Sequence, residues 1–189
     1  MSAAKAPALW RPEIAPGTVA LASPPRDYPM GHVFDPAEFG QILADHSDET
    51  GRHLVIENPG GRLRLWLADA DMPAGPIIII IAPDIDYTIR RAAADRFTRH
   101  LQGASATRQP AILRPTDFQR QRLTFLLHLL VLLGTGLSTR ELADHAVYPG
   151  LGLHGSDWRA ANERRQVQRL RDEAVRLCET GYLDLLRGR

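Results

Sequence analysis

The sequence predicts an α+β protein in which a small β-hairpin and strand module precedes an all-α bundle. Three observations carry this prediction. Two β-type runs, residues 53–57 and 63–67, flank Asn58-Pro59-Gly60-Gly61, a turn-forming tetrapeptide, so a hairpin is expected there. Five consecutive isoleucines, residues 77–81, stand between Pro76 and Pro83 and have the length and β-branching of a strand. From residue 117 onward apolar side chains recur at helical spacing, and two helix starts carry capping signals.

Residues 1–31 are rich in Ala and Pro and are expected to form an extended arm, with 18–22 as its one short strand candidate. Residues 32–102 form the expected mixed α/β module of three or four strands and one or two helices. Within it, Phe34, Phe39, Ile42 and Leu43 behind Asp35-Pro36 suggest a helical turn or two. Leu63, Leu65 and Leu67 alternate with Arg64 and Trp66, giving one core face and one partly wet face. The isoleucine run is expected to be covered on both faces, because an open one would invite aggregation. Ile89, Ala93, Phe97 and Leu101 recur every four residues and place an apolar stripe on a helix over 86–101.

Residues 103–109 are the best linker candidate, and 110–189 form the expected helical domain. Thr116 caps a helix to about residue 133 that is apolar on more than one face, which suits a central helix. Gly134-Thr135-Gly136 ends it. Ser138 stands three residues before Glu141, the capping-box spacing, so a short helix over 138–147 follows with Leu142, Ala143 and Ala146 inward. Tyr148-Pro149-Gly150 stops that helix. Ser156 is expected to cap the last helix, 157–180, bent near Ala161-Asn162. Its core stripe would be Val167, Leu170, Ala174, Leu177 and Cys178, and Gly181 suits its C-cap. A short capped helix, a turn and an Arg-bearing helix are the order of parts in helix-turn-helix readers, although the connection over 148–155 is longer than the standard tight turn.

The chain has 189 residues and a formal net charge of +1, too balanced to indicate a nucleic-acid partner for the molecule as a whole. Charge is unevenly placed. Residues 1–113 hold 11 Lys and Arg against 13 Asp and Glu, a net of −2, while residues 114–189 hold 12 against 9, a net of +3. Lys5 is the sole lysine, so nearly all positive charge is guanidinium, the better bidentate partner of phosphate and guanine. One cysteine, Cys178, excludes an internal disulfide and fits a reducing, cytoplasmic location. No signal-like segment opens the chain, and the most apolar stretch, 123–133, is too short to span a bilayer, so no membrane partner is expected.

The residues do not favour an enzyme. Asp45-His46-Ser47-Asp48 has the residue types of a hydrolase triad, but sequence neighbours point apart, and a polar surface turn is the expected reading. The seven histidines show no metal-ligand spacing, and His128 on an apolar helix reads as a core or edge histidine. Cys178 reads as a buried, inert thiol. The segment from Gly150 to Gly155 follows no strand and reads as a connection rather than a dinucleotide loop. No catalytic residue, metal, cofactor or small-molecule substrate is indicated.

The arginines of the last helix stand out. Arg164, Arg165, Arg169, Arg171 and Arg176 occupy the arc left by the core stripe. One reading is a solvated face with intrahelical pairs, such as Arg169 with Glu173. The other is contact with DNA, in which Arg159, Arg164, Arg165 and Arg169 hold phosphates or base edges while Thr139 and Arg140 touch the backbone. Trp158 is expected to anchor the helices to one another.

Four stretches, Leu137-Ser138-Thr139-Arg140-Glu141-Leu142-Ala143, Trp158 after its Gly-containing loop, Arg169-Leu170, and Gly181-Tyr182-Leu183-Asp184-Leu185-Leu186, together resemble a proteobacterial domain family. That family was formerly of unknown function and is described as a helix-turn-helix variant. It occurs in transcriptional activators and antiactivators of integrative and conjugative element transfer. The resemblance extends upstream over the hairpin and the isoleucine strand. It implies a DNA-binding regulator of mobile-element genes or, alternatively, an antiactivator that binds a partner transcriptional regulator. Trp10-Arg11-Pro12 begins almost at the start, so a stand-alone form lacking the N-terminal domain of some members is expected.

Overall fold

The computed structural model describes residues 8–28, 31–72, 74–104 and 108–189. The first seven residues of the expected arm, its Pro29, and the middle of the expected linker (105–107) lie outside the described residues. The fold is α+β, in two compact units: Met1–Arg114 with Leu185–Arg189, and Pro115–Asp184.

The first unit is a six-stranded mixed sheet. Its strands are β1 (Val19–Ala22), β2 (His32–Phe34), β3 (Ile42–Asp48), β4 (Gly51–Ile56), β5 (Leu63–Leu67) and β6 (Gly75–Ile80), in the spatial order β2-β6-β1-β5-β4-β3. Among the described residues, only β1 and β5 run parallel. The hairpin predicted around Asn58-Pro59-Gly60-Gly61 is β4–β5, with Ile56 opposite Leu63 and Val55 opposite Arg64. Helix α1 (Tyr87–Leu101) lays Ala93 and Phe97 on Val19, Leu21, Leu54, Ile56, Leu65 and Leu67. Phe97 is fully enclosed and meets the rings of Phe34 and Phe39 at 5.6 and 5.1 Å, within the range where aromatic pairs attract beyond their area alone.

Three local expectations are corrected here. Residues 42–48 form a strand, and only a turn remains before it, where Asp35 Oδ1 accepts the Ala37 N–H at 2.8 Å. Pairing with β4 decides this, through the Asp45–Arg52 ion pair at 2.7 Å and the His46–His53 rung. Asp45-His46-Ser47-Asp48 is therefore the end of β3, and the turn lies beyond it, where Asp48 Oδ1 accepts the Thr50 N–H at 2.7 Å. The isoleucine strand is covered on one face only: Ile77 and Ile79 pack toward α1, whereas Ile80 is 45% exposed. Helix α1 covers one face of the sheet, so alternate residues of β6 face away from it.

Two polar arrangements tie this unit together. Buried Asp86, just before α1, receives Arg187 at 3.3 Å and Arg189 at 3.4 Å, so the chain's last residues are held by a carboxylate. Buried Arg96 donates to the carbonyls of Gly61 and Arg62 and to Asn58 Oδ1, pinning the β4–β5 turn to α1. Gly51 opens β4 at φ +138, and the Leu67 carbonyl oxygen occupies the space a Cβ would need.

The second unit is helical. Helix α2 (Asp117–Gly134) begins with a capping box in which Thr116 Oγ1 accepts the Gln119 N–H at 3.2 Å and Gln119 returns the bond at 2.8 Å. It buries Leu126 and Leu129 but leaves Phe118, Leu127, Val131 and His128 exposed, so it flanks the bundle instead of running through its centre. Helix α3 (Thr139–Leu142) continues as a π turn (Ala143–Val147), followed by α4 (Gly155–Ala160), α5 (Asn162–Arg176), a second π turn (Leu177–Gly181) and α6 (Tyr182–Leu186).

The last helix thus differs from expectation at both ends and in the middle. It starts at Gly155, because the N–H groups of Asp157 and Trp158 already bond the His154 carbonyl; Ser156 is inside the first turn and caps nothing. At Ala161 the backbone is extended (φ −65°, ψ 140°), a break rather than a bend. The second π turn shifts the helical phase, so Leu177 stays on the core while Cys178 is exposed. Gly181 is buried inside the helical run instead of capping it, with the Leu177 side chain where its Cβ would sit.

Replacing Thr116 by Ala is expected to lower the stability of the second unit by about 1 kcal/mol. Gly51→Ala is expected to cost the first unit more than about 1 kcal/mol, since the new Cβ meets backbone and the torsion disfavours it. Urea unfolding followed by far-UV circular dichroism measures both.

Candidate nucleic-acid interface

The site is built on the order α3, loop, α4, α5. Ser138 caps α3: its Oγ accepts the Glu141 N–H at 3.3 Å, while Glu141 Oε2 accepts from Ser138 N at 2.8 Å and from Ser138 Oγ at 2.6 Å. These Ser138 bonds, the side-chain one first, hold the Glu141 carboxyl below its usual range, with smaller help from Arg140 and His145. Leu142 and Ala143 are fully buried and anchor α3 in the bundle.

The connection to α4 is held at both ends. Gly150, Gly152 and Gly155 take left-handed torsions of +78°, +61° and +54°, so the segment can turn three times in a few residues. The Gly152 N–H donates to Asp144 Oδ1 at 3.3 Å, and the Arg140 guanidinium lies against His154 Nδ1. Trp158 on α4 is half-buried and packs with the core, an anchor between helices as the sequence implies.

Helix α5 is oriented by Val167 and Ala174, both fully buried, with Leu170 beside them. On the opposite arc stand Arg165, Arg169 and Arg176, at i, i+4 and i+11, all exposed. Arg159 on α4 and Arg164 in the first turn of α5 are exposed as well, and Arg164 donates to the Arg159 carbonyl at 3.3 Å. No side chain caps the start of α5. Among the described residues none of Arg140, Arg159, Arg164, Arg165 and Arg169 lies within 4.0 Å of a carboxylate. The intrahelical pair Arg169–Glu173 does not form. Glu173 is held instead by Arg122 of α2, with contacts at 2.5 and 3.2 Å.

Of the six residues expected to contact DNA, five are exposed and Thr139 is half-buried in the first turn of α3. The expected set omits Arg176, whose i+11 spacing from Arg165 is the signal for it. Arg171 is half-buried nearer the core edge. Among the described residues no group of three His, Cys, Asp or Glu could hold a metal ion, and no helix is long and apolar enough to cross a membrane.

The unit thus presents exposed arginines that form no ion pair among the described residues, with the exposed Asp172 among them, an arrangement suited to a polyanion. The family comparison is more specific. A family model described as "T6SS, Transcription factor, DNA binding domain" matches residues 79–187, more than half of the chain, which therefore belongs to this family of DNA-binding transcription factor domains. It is a family of DNA-binding regulators and not an enzyme class. A second model, described only as a domain of unknown function, matches residues 17–78. The boundary between the two matches falls inside β6. No curated protein and no solved structure matches the chain.

The Glu141 carboxyl contributes to stability as the charged form, fully above its ordinary value of 4.5, and that contribution is lost as pH falls through its lower folded value. Glu141→Ala is therefore expected to reduce helix content at neutral pH and to flatten the acid limb of the unfolding curve. Circular dichroism from neutral to acid pH checks this.

Proposed function

We propose that the chain regulates transcription by laying α3, α4 and α5 against duplex DNA. Arg159, Arg164, Arg165 and Arg169 hold phosphates or base edges, Thr139 and Arg140 hold the backbone, and Arg176 extends the row. The observation that carries this reading is the exposed arginine arc of α5, none of whose arginines forms an ion pair among the described residues although the exposed Asp172 shares the arc, and whose other acidic candidate, Glu173, is occupied by Arg122. Guanidinium groups that meet only His154 or backbone carbonyls, and no carboxylate, keep their charge available to replace the counterions of a phosphate backbone. The uncapped first turn of α5 adds free backbone N–H groups beside Arg164 and Arg165.

The target genes are proposed to be those of conjugative-element transfer, from the likeness of the segments around Ser138, Trp158 and Gly181 to regulators of that process. The family description names T6SS, so a secretion gene cluster is the competing target. A second reading, an antiactivator that sequesters a partner regulator, is favoured by the balanced net charge of +1. It predicts stable association with that regulator and little affinity for duplex DNA at physiological salt.

Fluorescence anisotropy with duplex DNA from upstream of its own gene, titrated across salt concentrations, tests the first reading. Arg165→Ala with Arg169→Ala is expected to weaken binding roughly tenfold or more and to lower the salt slope by about two. Unchanged affinity and slope in a folded double variant would refute the assignment of these two residues. Footprinting across the two gene sets distinguishes the targets.

A further inference from the structure

Strand β6 is paired unevenly along its length. On one side β1 pairs with residues 78–80, whereas on the other β2 pairs only with residues 75–77. Among the described residues, no strand therefore lies beside 78–80 on the β2 side. Pro76 has no N–H, so its pair with Val33 is of the kind that exchanges no hydrogen bonds, and it is Gly75 and Ile77 that bond β2. Alternation along the strand then turns the N–H and C=O of Ile79 toward the same open side. Native sheet edges are usually blunted by a charge, a proline or a bulge. Residues 78–80 are three isoleucines in regular register and carry none of these.

An apolar space of about 270 Å³, half open to solvent, adjoins this edge. Ile77 and Ile79 of β6 form one wall, and Thr98, Leu101 and Gln102 at the C-terminal end of α1 form the other. His32 closes one end, where its Nε2 lies 3.2 Å from the Leu101 carbonyl oxygen and ties the start of β2 to the helix. All of these residues belong to the first unit. Small-molecule pockets span about 300–1,000 Å³ and enclose most of their ligand. This space is smaller and half open, which suits an apolar side chain better than a whole ligand. Ile78 and Ile80 alternate to the opposite face, where Ile80 is 45% exposed. An open length of strand, apolar on both faces and flanked by a side-chain groove, is the arrangement that accepts an added strand.

We propose that a short extended segment of a partner protein adds to β6 along residues 78–80. Its backbone bonds the N–H and C=O of Ile79, and one bulky apolar side chain enters the space between β6 and α1. The side chains on either side of that residue alternate to the other face and rest on Ile78 and Ile80. Among the described residues no Asp, Glu, Lys or Arg lines the space, so the recognised segment is apolar rather than charged. The contact uses the sheet unit alone and is independent of where DNA binds.

Selection of a random short-peptide display library on the full chain, followed by fluorescence anisotropy with the enriched peptide made synthetically and labelled, tests it. The enriched peptides are expected to centre on a bulky apolar residue, and the synthetic one to bind at about 100 μM or tighter. Methylating its backbone nitrogens one at a time is expected to weaken binding roughly tenfold at alternate positions only, the signature of a strand that bonds along one edge. Thr98→Arg, which fills the groove from α1, is expected to weaken it by a similar factor. Gln102→Trp, at an exposed site on the rim, is expected to do the same and carries the test if Thr98→Arg fails to fold. Arg165→Ala with Arg169→Ala is expected to leave peptide binding unchanged. The proposal is overturned if no peptide binds at about 100 μM, if methylation shows no alternation, or if both folded groove variants bind as well as the parent. It is equally overturned if the chain self-associates and Thr98→Arg abolishes that, which would make a second copy the occupant.

Discussion

The apolar seam of the helical unit sets which side chains α5 turns to solvent. Val167 and Ala174 of α5 are fully buried against Leu126 and Leu129 of α2 and Leu142 of α3. A helix has one rotational setting that satisfies such a seam, and that setting turns Arg165, Arg169 and Arg176 outward together. Burying a single large aliphatic side chain of this kind contributes about 1.5–3 kcal/mol, more than solvent-screened surface arginines lose by their mutual repulsion. The arginine arc is therefore set by residues that never touch it.

One ion pair then decides what the arc is available for. Arg122 of α2 takes both oxygens of Glu173, the acid best spaced to neutralise Arg169 from within α5. Such a half-exposed pair adds little to stability. Its electrostatic effect is larger, because it removes a carboxylate from the field of the exposed arginines. The same logic runs in the opposite direction in the sheet unit. There Arg52 and Arg90 are matched by Asp45 and Asp84, whose carboxyls are lowered from their ordinary value chiefly by hydrogen bonds from those arginines, whereas Arg64 forms no ion pair among the described residues.

Much of this was legible locally. The hairpin about Asn58-Pro59-Gly60-Gly61, the stripe of α1, and the caps at Thr116 and Ser138 are short-range signals, and each element stands where its signal lies. The misread segments are those where a distant partner outweighs a local tendency. Ile42 and Leu43 have helical spacing to Phe39, yet β4 recruits them into a strand. Cys178 falls on the ideal core stripe, yet a π turn rotates it into solvent. Ser156 has the right chemistry for a cap, but the His154 carbonyl starts the turn earlier.

By itself the sequence determined the α+β class, the order of capped helix, loop and Arg-bearing helix, and the residue types on the outer arc of that helix. These follow from periodicity and capping, which act within a few residues. Tertiary structure alone decided which carboxylate meets which arginine, that α2 lies at the flank with Leu127 and Val131 exposed, and that Thr18 comes beside Arg64 on neighbouring strands. Those outcomes depend on strand register and helix packing between segments far apart in the chain, and no local pattern encodes them.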